Sequence, residues 1–327
     1  MLERLTSPWS DRRAEISLGA ASLLVGAVVI AMIVFVTIQA WPIFEHNGLS
    51  WLGSGKSFKE QAEAMQSAGP HPSGSAYYLR AWPLIWGTLI ATVPAVLIGL
   101  VIAVCSSIFI VELAPGRLRR IVVPVIRLLA SVPSVVYGLI GVLVLVPWVG
   151  NHVISPHEKE SLANTVQLSG FGVGVSIVIL TVMVTPIMVA LTCEALAAVP
   201  NSWREGAIAL GVNPVRAILA VTVRAARPAI IAAAVLATAR ALGESVMLAM
   251  VSGGTDFAPR PSDGVTFLFE PFRTLASTII DFRDGIGAPA LKSSLYAFAL
   301  LMLVSGFVLS VCGYLIKLPL RKYQVRA

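Results

Sequence analysis

Six long apolar runs separated by polar segments organise the chain, at 16–40, 82–111, 121–149, 169–193, 228–251 and 293–316. Each is about 24 to 31 residues long and almost free of charge, more than the roughly 20 residues a helix needs to cross a bilayer core. The pattern predicts an all-α membrane protein with six transmembrane helices. An even number of crossings puts both termini on one side. The first run far exceeds the apolar core of a cleaved signal peptide, and Ile38 stands where a cut after Ala40 would need a small residue, so this helix is expected to remain. Pro83 and Pro94 in the second run predict a tilted or kinked helix.

Composition excludes a soluble domain: of 327 residues 57% are hydrophobic and 13% charged, against roughly 25% charged in soluble proteins. Cys105, Cys193 and Cys312 are far apart and lie in or beside apolar runs, which suggests neither a disulfide framework nor a metal site. The net charge of +7 is unevenly shared between the two sides. Connections on the side of the termini carry 14 Lys and Arg and six acids, and those on the other side carry eight and ten. Because cytoplasmic loops are the ones enriched in Lys and Arg, both termini and the 194–227 loop are placed in the cytoplasm. The basic balance thus records membrane orientation and contact with anionic lipid in the bilayer. No basic stripe with interleaved aromatics points to nucleic acid.

The 194–227 loop is built of punctuated helices. Ser202 and Glu205 have capping-box spacing, Gly211 suits a left-handed helix end, and Asn213 followed by Pro214 opens another helix. A surface helix of about two turns is expected from Trp203 to Leu210, with Trp203, Ala207 and Leu210 on one side. Such a helix can rest on lipid or dock a partner.

Glu205, Gly206 and Ala207, with Gly211 four residues later and Val221 and Val223 beyond, resemble the EAA loop of the ABC importer permeases. Gly206 stands where that family has Ala, and Arg224 where it has Pro. The resemblance implies a type I importer permease fold whose short helix, through Ser202, Trp203, Glu205, Gly206, Ala207, Leu210 and Gly211, docks on a separate cytoplasmic ATPase. The segments LASVPSVVYGLIG (129–141), TARALGE (238–244) and FRTLASTII (272–280) are similar to the phosphate-specific members. The extra first helix and long external insertion look more like their PstC than their PstA subunits.

Two buried charges are the candidate chemistry. Arg240 lies about halfway along the fifth run, with Glu244 four residues later and so one turn away on the same face. Charges at that depth usually meet a partner or an aqueous path. Arg240 is therefore the anion-ligand candidate and Glu244 its orienting partner, since a carboxylate repels phosphate; the bland reading is a static ion pair. Arg127 is either part of the path or a side chain snorkelling to the interface. Ser131, Ser134 and Tyr137 around Pro133 offer hydroxyls to an oxyanion, although hydroxyls in membrane helices commonly bond to backbone. Pro133 and Gly138 suit a broken or close-packed helix, where polar backbone can line a path, although no repeated pair of broken helices is evident between the halves.

Gly53 to Ser57 reads GSGKS, but Ser50 occupies the position of the first P-loop glycine, so nucleotide binding is not expected there. His46, His71, His152 and His157 show no ligand spacing. The chain divides into 1–81, with the first helix and an external loop, a permease core at 82–316 that contains the coupling loop 194–228, and a tail at 317–327. The expectation is a multi-pass plasma-membrane permease subunit for inorganic phosphate, with no enzyme activity or cofactor of its own. ATP would be used by two cytoplasmic ATPase subunits, beside a homologous permease subunit and an extracytoplasmic phosphate-binding protein. A permease for sulfate or molybdate and a self-contained ion-coupled carrier are the alternatives.

Overall fold

A computed structural model describes residues 8–155, 168–256 and 258–320. The expected external His157 and the tail from 321 onward lie outside the described residues. Among those described, six helical stretches are long and apolar enough to cross a membrane: Glu15–Leu52, Gly74–Leu113, Ser134–His152, Val173–Ala197, Pro214–Leu242 and Pro289–Ile316. No strand occurs among them, only an isolated bridge between Gly253 and Phe272.

The first helix, α1 (Pro8–Asn47), is apolar on all sides and packs mainly along α13 (Pro289–Leu320), where Phe35 meets Tyr296 edge to face at 5.7 Å. Leu23, Leu24, Val28 and Ile30 are exposed. That surface matches a lipid environment, since α1 closes its own backbone hydrogen bonds. The core is formed instead by α3 (Trp82–Ile108) against α7 (Val173–Ala197). Ala91, Ala95, Gly99 and Ala103 of α3 are buried and let the backbones approach; a Cβ on Gly99 would strike Met188 and Thr185. Pro94 lies inside α3, which runs unbroken to Ile108 and continues in a π turn over Phe109–Leu113.

The third and fifth expected crossings need correction. The run at 121–149 is two elements: α4 (Gly116–Ala130), which has no buried residue, and a crossing made of α5 (Ser134–Ile140), a π turn (Gly141–Leu145) and α6 (Val146–His152). Pro133 at the cap of α5 cannot supply the amide that would carry α4 onward. The fifth crossing starts earlier than 228. It runs from α9 (Pro214–Ala217) through a π segment (Ile218–Val223) into α10 (Arg224–Leu242), stops at Gly243, and resumes as α11 (Val246–Val251). Two broken helices thus exist: the one at Pro133 agrees with the sequence reading, and the one at Gly243 was not expected.

The segment between α1 and α3 folds onto the core. Asn47 binds the Ile43 and Tyr77 carbonyls at 3.0 and 2.6 Å and accepts from the Leu79 amide at 3.1 Å. Ser57 caps α2 (Phe58–Ser67) by accepting from the Glu60 amide, so the GSGKS stretch serves as a helix start. Phe58, Ala62 and Met65 pack with Leu291, Leu295 and Phe298 of α13. Opposite them, α12 (Leu275–Asp281) begins with a Thr274–Ser277 capping box. Arg273 pairs with Asp256 at 2.9 Å and Asp281 at 3.2 Å, and Asp256 also accepts from the Lys59 amide at 2.8 Å. Burial raises the Asp281 carboxyl above its ordinary pKa range, with the Arg273 cation opposing.

Candidate translocation and coupling sites

The two breaks belong to helices that pack together. On α5, a Cβ at Gly138 would strike Met247 and Met250 of α11, and one at Gly141 would strike Val251. These glycines permit α5 and α11 to lie backbone against backbone. Breaks inside a crossing free backbone polar groups, which are tolerated where protein or a polar cavity receives them. Here part of the load is met locally: the Gly243 amide bonds to Arg240 O at 3.1 Å and the Glu244 amide to Ala241 O at 3.3 Å.

Arg240 lies in the last turn of α10, about 24 Å along the helix from Arg224 at 1.5 Å per residue. Glu244 lies in the break and not one helical turn away on the same face, because the helix stops at Leu242. Among the described residues no Arg240–Glu244 contact falls within 4.0 Å. Ser134 lies near the Glu244 carboxylate, and Arg240 acts through space on both Glu244 and Tyr137. Arg240, Glu244, Ser134 and Tyr137 are therefore neighbours. Arg240 is exposed, and among the described residues its guanidinium is in no ion pair.

Ser131 and Tyr137 follow the backbone-bonding alternative for their hydroxyls. The Ser131 hydroxyl donates to Leu128 O at 2.8 Å and that of Tyr137 to Leu129 O at 3.0 Å, so both tie off the end of α4. Arg127 is not drawn into the group. It pairs with Glu194 at 2.9 Å, with both side chains more than half exposed, in a cleft that also holds Arg119 and Arg120 near the end of α7.

The loop after α7 forms α8 (Asn201–Ala209), which has no buried residue. Its cap position is Pro200, and the Ser202–Glu205 capping box is absent, because the helix starts one residue before Ser202. Its C-terminal end follows the expectation: Gly211 has φ +85°, Val212 N bonds to Ala207 O at 3.1 Å, and Gly211 N to Ile208 O at 2.9 Å. Asn213 caps α9 through the Val215 amide at 3.0 Å, with Pro214 at the first position. The expected common face of Trp203, Ala207 and Leu210 divides. Trp203 and Ala207 are half-buried, with Trp203 lining a cavity together with Ala220, Val221, Arg224 and Pro228. Ser202, Glu205, Gly206 and Leu210 are exposed, Leu210 to 87%. A Cβ at Gly206 would meet nothing within 4 Å, so glycine is not required there by space.

Sequence reasoning passed over Arg204 and Glu112. They form an ion pair between α8 and the π turn that ends α3, with side-chain exposures of 28% and 4%. The available signal was Glu112 itself, the one acid in the 112–120 connection, directly behind an apolar run. Ninety-odd residues of separation hide its partner.

A family model for the inner membrane component of binding-protein-dependent transport systems matches residues 95–318. The chain belongs to this family. Among its relatives, "Probable ABC transporter permease protein YqgH" of Bacillus subtilis is 31% identical over 315 residues, covering 94% of this chain and 92% of that protein. "Probable phosphate transport system permease protein PstC" of Methanocaldococcus jannaschii is 33% identical over 252 residues, covering 75% and 77%. The fold is similar to that of a chain in inward-facing structures of the MetNI methionine ABC transporter, with TM-score 0.51 and 18% identity over 75% of this chain and 97% of that one. The expected helical importer-permease architecture and the expected family agree with these matches.

Proposed function

We propose that this chain is the permease subunit of an ATP-driven inorganic phosphate importer in the plasma membrane, with both termini and α8 in the cytoplasm. The observation that carries it is α8 itself, a short exposed helix between the ends of two crossings, in a chain of the binding-protein-dependent family. Relatives named as phosphate transport permeases support phosphate as the cargo. A homologous permease, two cytoplasmic ATPases and an extracytoplasmic phosphate-binding protein complete the machine. The chain carries no cofactor; ATP is used by the ATPases.

In this reading ATPase closure moves α8, and the movement reaches the facing breaks through α10 and α3. Arg240 is the phosphate ligand, because an unpaired guanidinium offers planar, permanently charged donors to an oxyanion. Glu244, beside Ser134, orients that site and does not touch the anion. Radiolabelled phosphate uptake into proteoliposomes containing the whole complex, with ATP on the ATPase side, tests both parts. Arg240→Ala should lower uptake about 10- to 150-fold, the loss for one charge-assisted contact, with assembly unchanged. Uptake by this chain alone on an ion gradient, or sulfate or molybdate displacing phosphate as the better substrate, would overturn the reading.

A further inference from the structure

We infer that Arg204 and Glu112 form a rigid link that makes α8 and the end of α3 move as one body, so that Arg204 is a positioning residue for energy coupling. The inference rests on the reading of α8 as the ATPase-facing helix. Nothing in the chain connections of α8 sets its angle to the membrane helices. One end leaves α7 through Pro200, and the other passes Gly211 at φ +85° before α9 starts. A nine-residue helix with no buried residue is also too short to be stable by itself. A push on such a helix would be spent in bending its two turns unless its side chains fasten it to something stiff.

One side chain does so. Trp203 faces a cavity that Val221 and Pro228 also line, so it is not the fastener. Arg204 reaches the Glu112 carboxylate, which is almost fully removed from solvent. Parting the two would leave a charge buried without a partner, so this contact resists opening far more than an exposed pair does. The π turn Phe109–Leu113, closed by the Ala114 amide on Phe109 O, carries Glu112 at the end of α3. Directly behind it, Ile108 and Val111 of α3 pack with Leu196 and Val199 from the α7 end and Ala226 and Ile230 of α10. The pair therefore joins α8 to the point where three membrane helices meet. From there α10 leads to Arg240 and the break at Gly243.

The test compares Glu112→Gln, Arg204→Gln and the reversed pair Glu112→Arg with Arg204→Glu in the complete complex. Three quantities are read: co-purification of the ATPase, ATP hydrolysis, and phosphate taken up per ATP. Each single change should reduce phosphate per ATP by about tenfold or more while the ATPase still co-purifies and hydrolyses ATP; the reversed pair should recover most of the ratio. An unchanged ratio in the single variants would overturn the link. So would a reversed pair as impaired as the singles, or an uptake loss that only tracks the amount of assembled complex. Should the unsubstituted chain fail to co-purify with any ATPase, the coupling reading of α8 fails instead, and that control separates the two failures.

Discussion

The two ends of this molecule are built in opposite ways. At the end formed by 41–81 and 252–292, polar side chains are consumed by the chain's own backbone: Asn47 alone serves Ile43, Tyr77 and Leu79, and Gln61 binds both the Lys56 carbonyl and the Arg80 amide. Arg273 and its two acids cross-link the segment ahead of α12 to the start of α2. At the other end α8 buries nothing and keeps one ion pair to the core. The first end is braced by its own chain, whereas an exposed helix with Leu210 outermost takes few contacts from its own chain. The first end is a self-braced cap, and the second is a short helix held by little of its own chain.

Breaking the cap should have the largest effect on stability. Arg273→Ala strands Asp256, whose side chain is only 8% exposed, and should cost about 3–5 kcal/mol, the loss for one partner of a buried pair. Thermal melting of the purified complex would show it; a shift no larger than that of an exposed pair would mean the cap is looser than the contacts imply. At the opposite end Leu210→Asp should change stability by no more than about 0.5 kcal/mol, as expected for an exposed site. Yet it should abolish co-purification of the ATPase, because it puts a charge on the outermost apolar point of α8. Retained co-purification would move the docking surface away from α8.

The smallest effect is a pH dependence confined to the cap. The folded pKa of Asp281 lies above its ordinary value because burial penalises the carboxylate. Its contribution is therefore fully present below the ordinary Asp value and is lost as pH rises through the raised one. Asp281→Asn should flatten the melting-temperature profile above the ordinary Asp value of about 4. An identical slope in the variant would assign the dependence to another group.

The crossings were legible because bilayer thickness imposes a run length, and those at 16–40, 82–111, 169–193 and 293–316 correspond to observed spans. The turn at Gly211 and the cap at Asn213 were legible because their residue chemistry acts within a few positions. The Ser202–Glu205 box failed despite correct spacing, since Pro200 starts the helix earlier. The break at 131–133 was legible through Pro133, whereas the one at 243–245 was hidden inside an apolar run, because hydropathy registers side chains and not backbone continuity. For the same reason the Arg240–Glu244 spacing suggested a helical pair that the break at Gly243 removes.

Local chemistry and the thickness of the membrane thus determined from sequence alone that the chain has six bilayer-spanning helices, carries an exposed loop with a short helix, and holds charges at Arg240 and Glu244. Only tertiary structure decided that two helix breaks meet, that Ser134 lies beside Glu244 while Arg127 goes to Glu194, and that Arg204 reaches Glu112. Those pairings join residues far apart in the chain, and close packing of glycine-bearing helix faces brings them within reach.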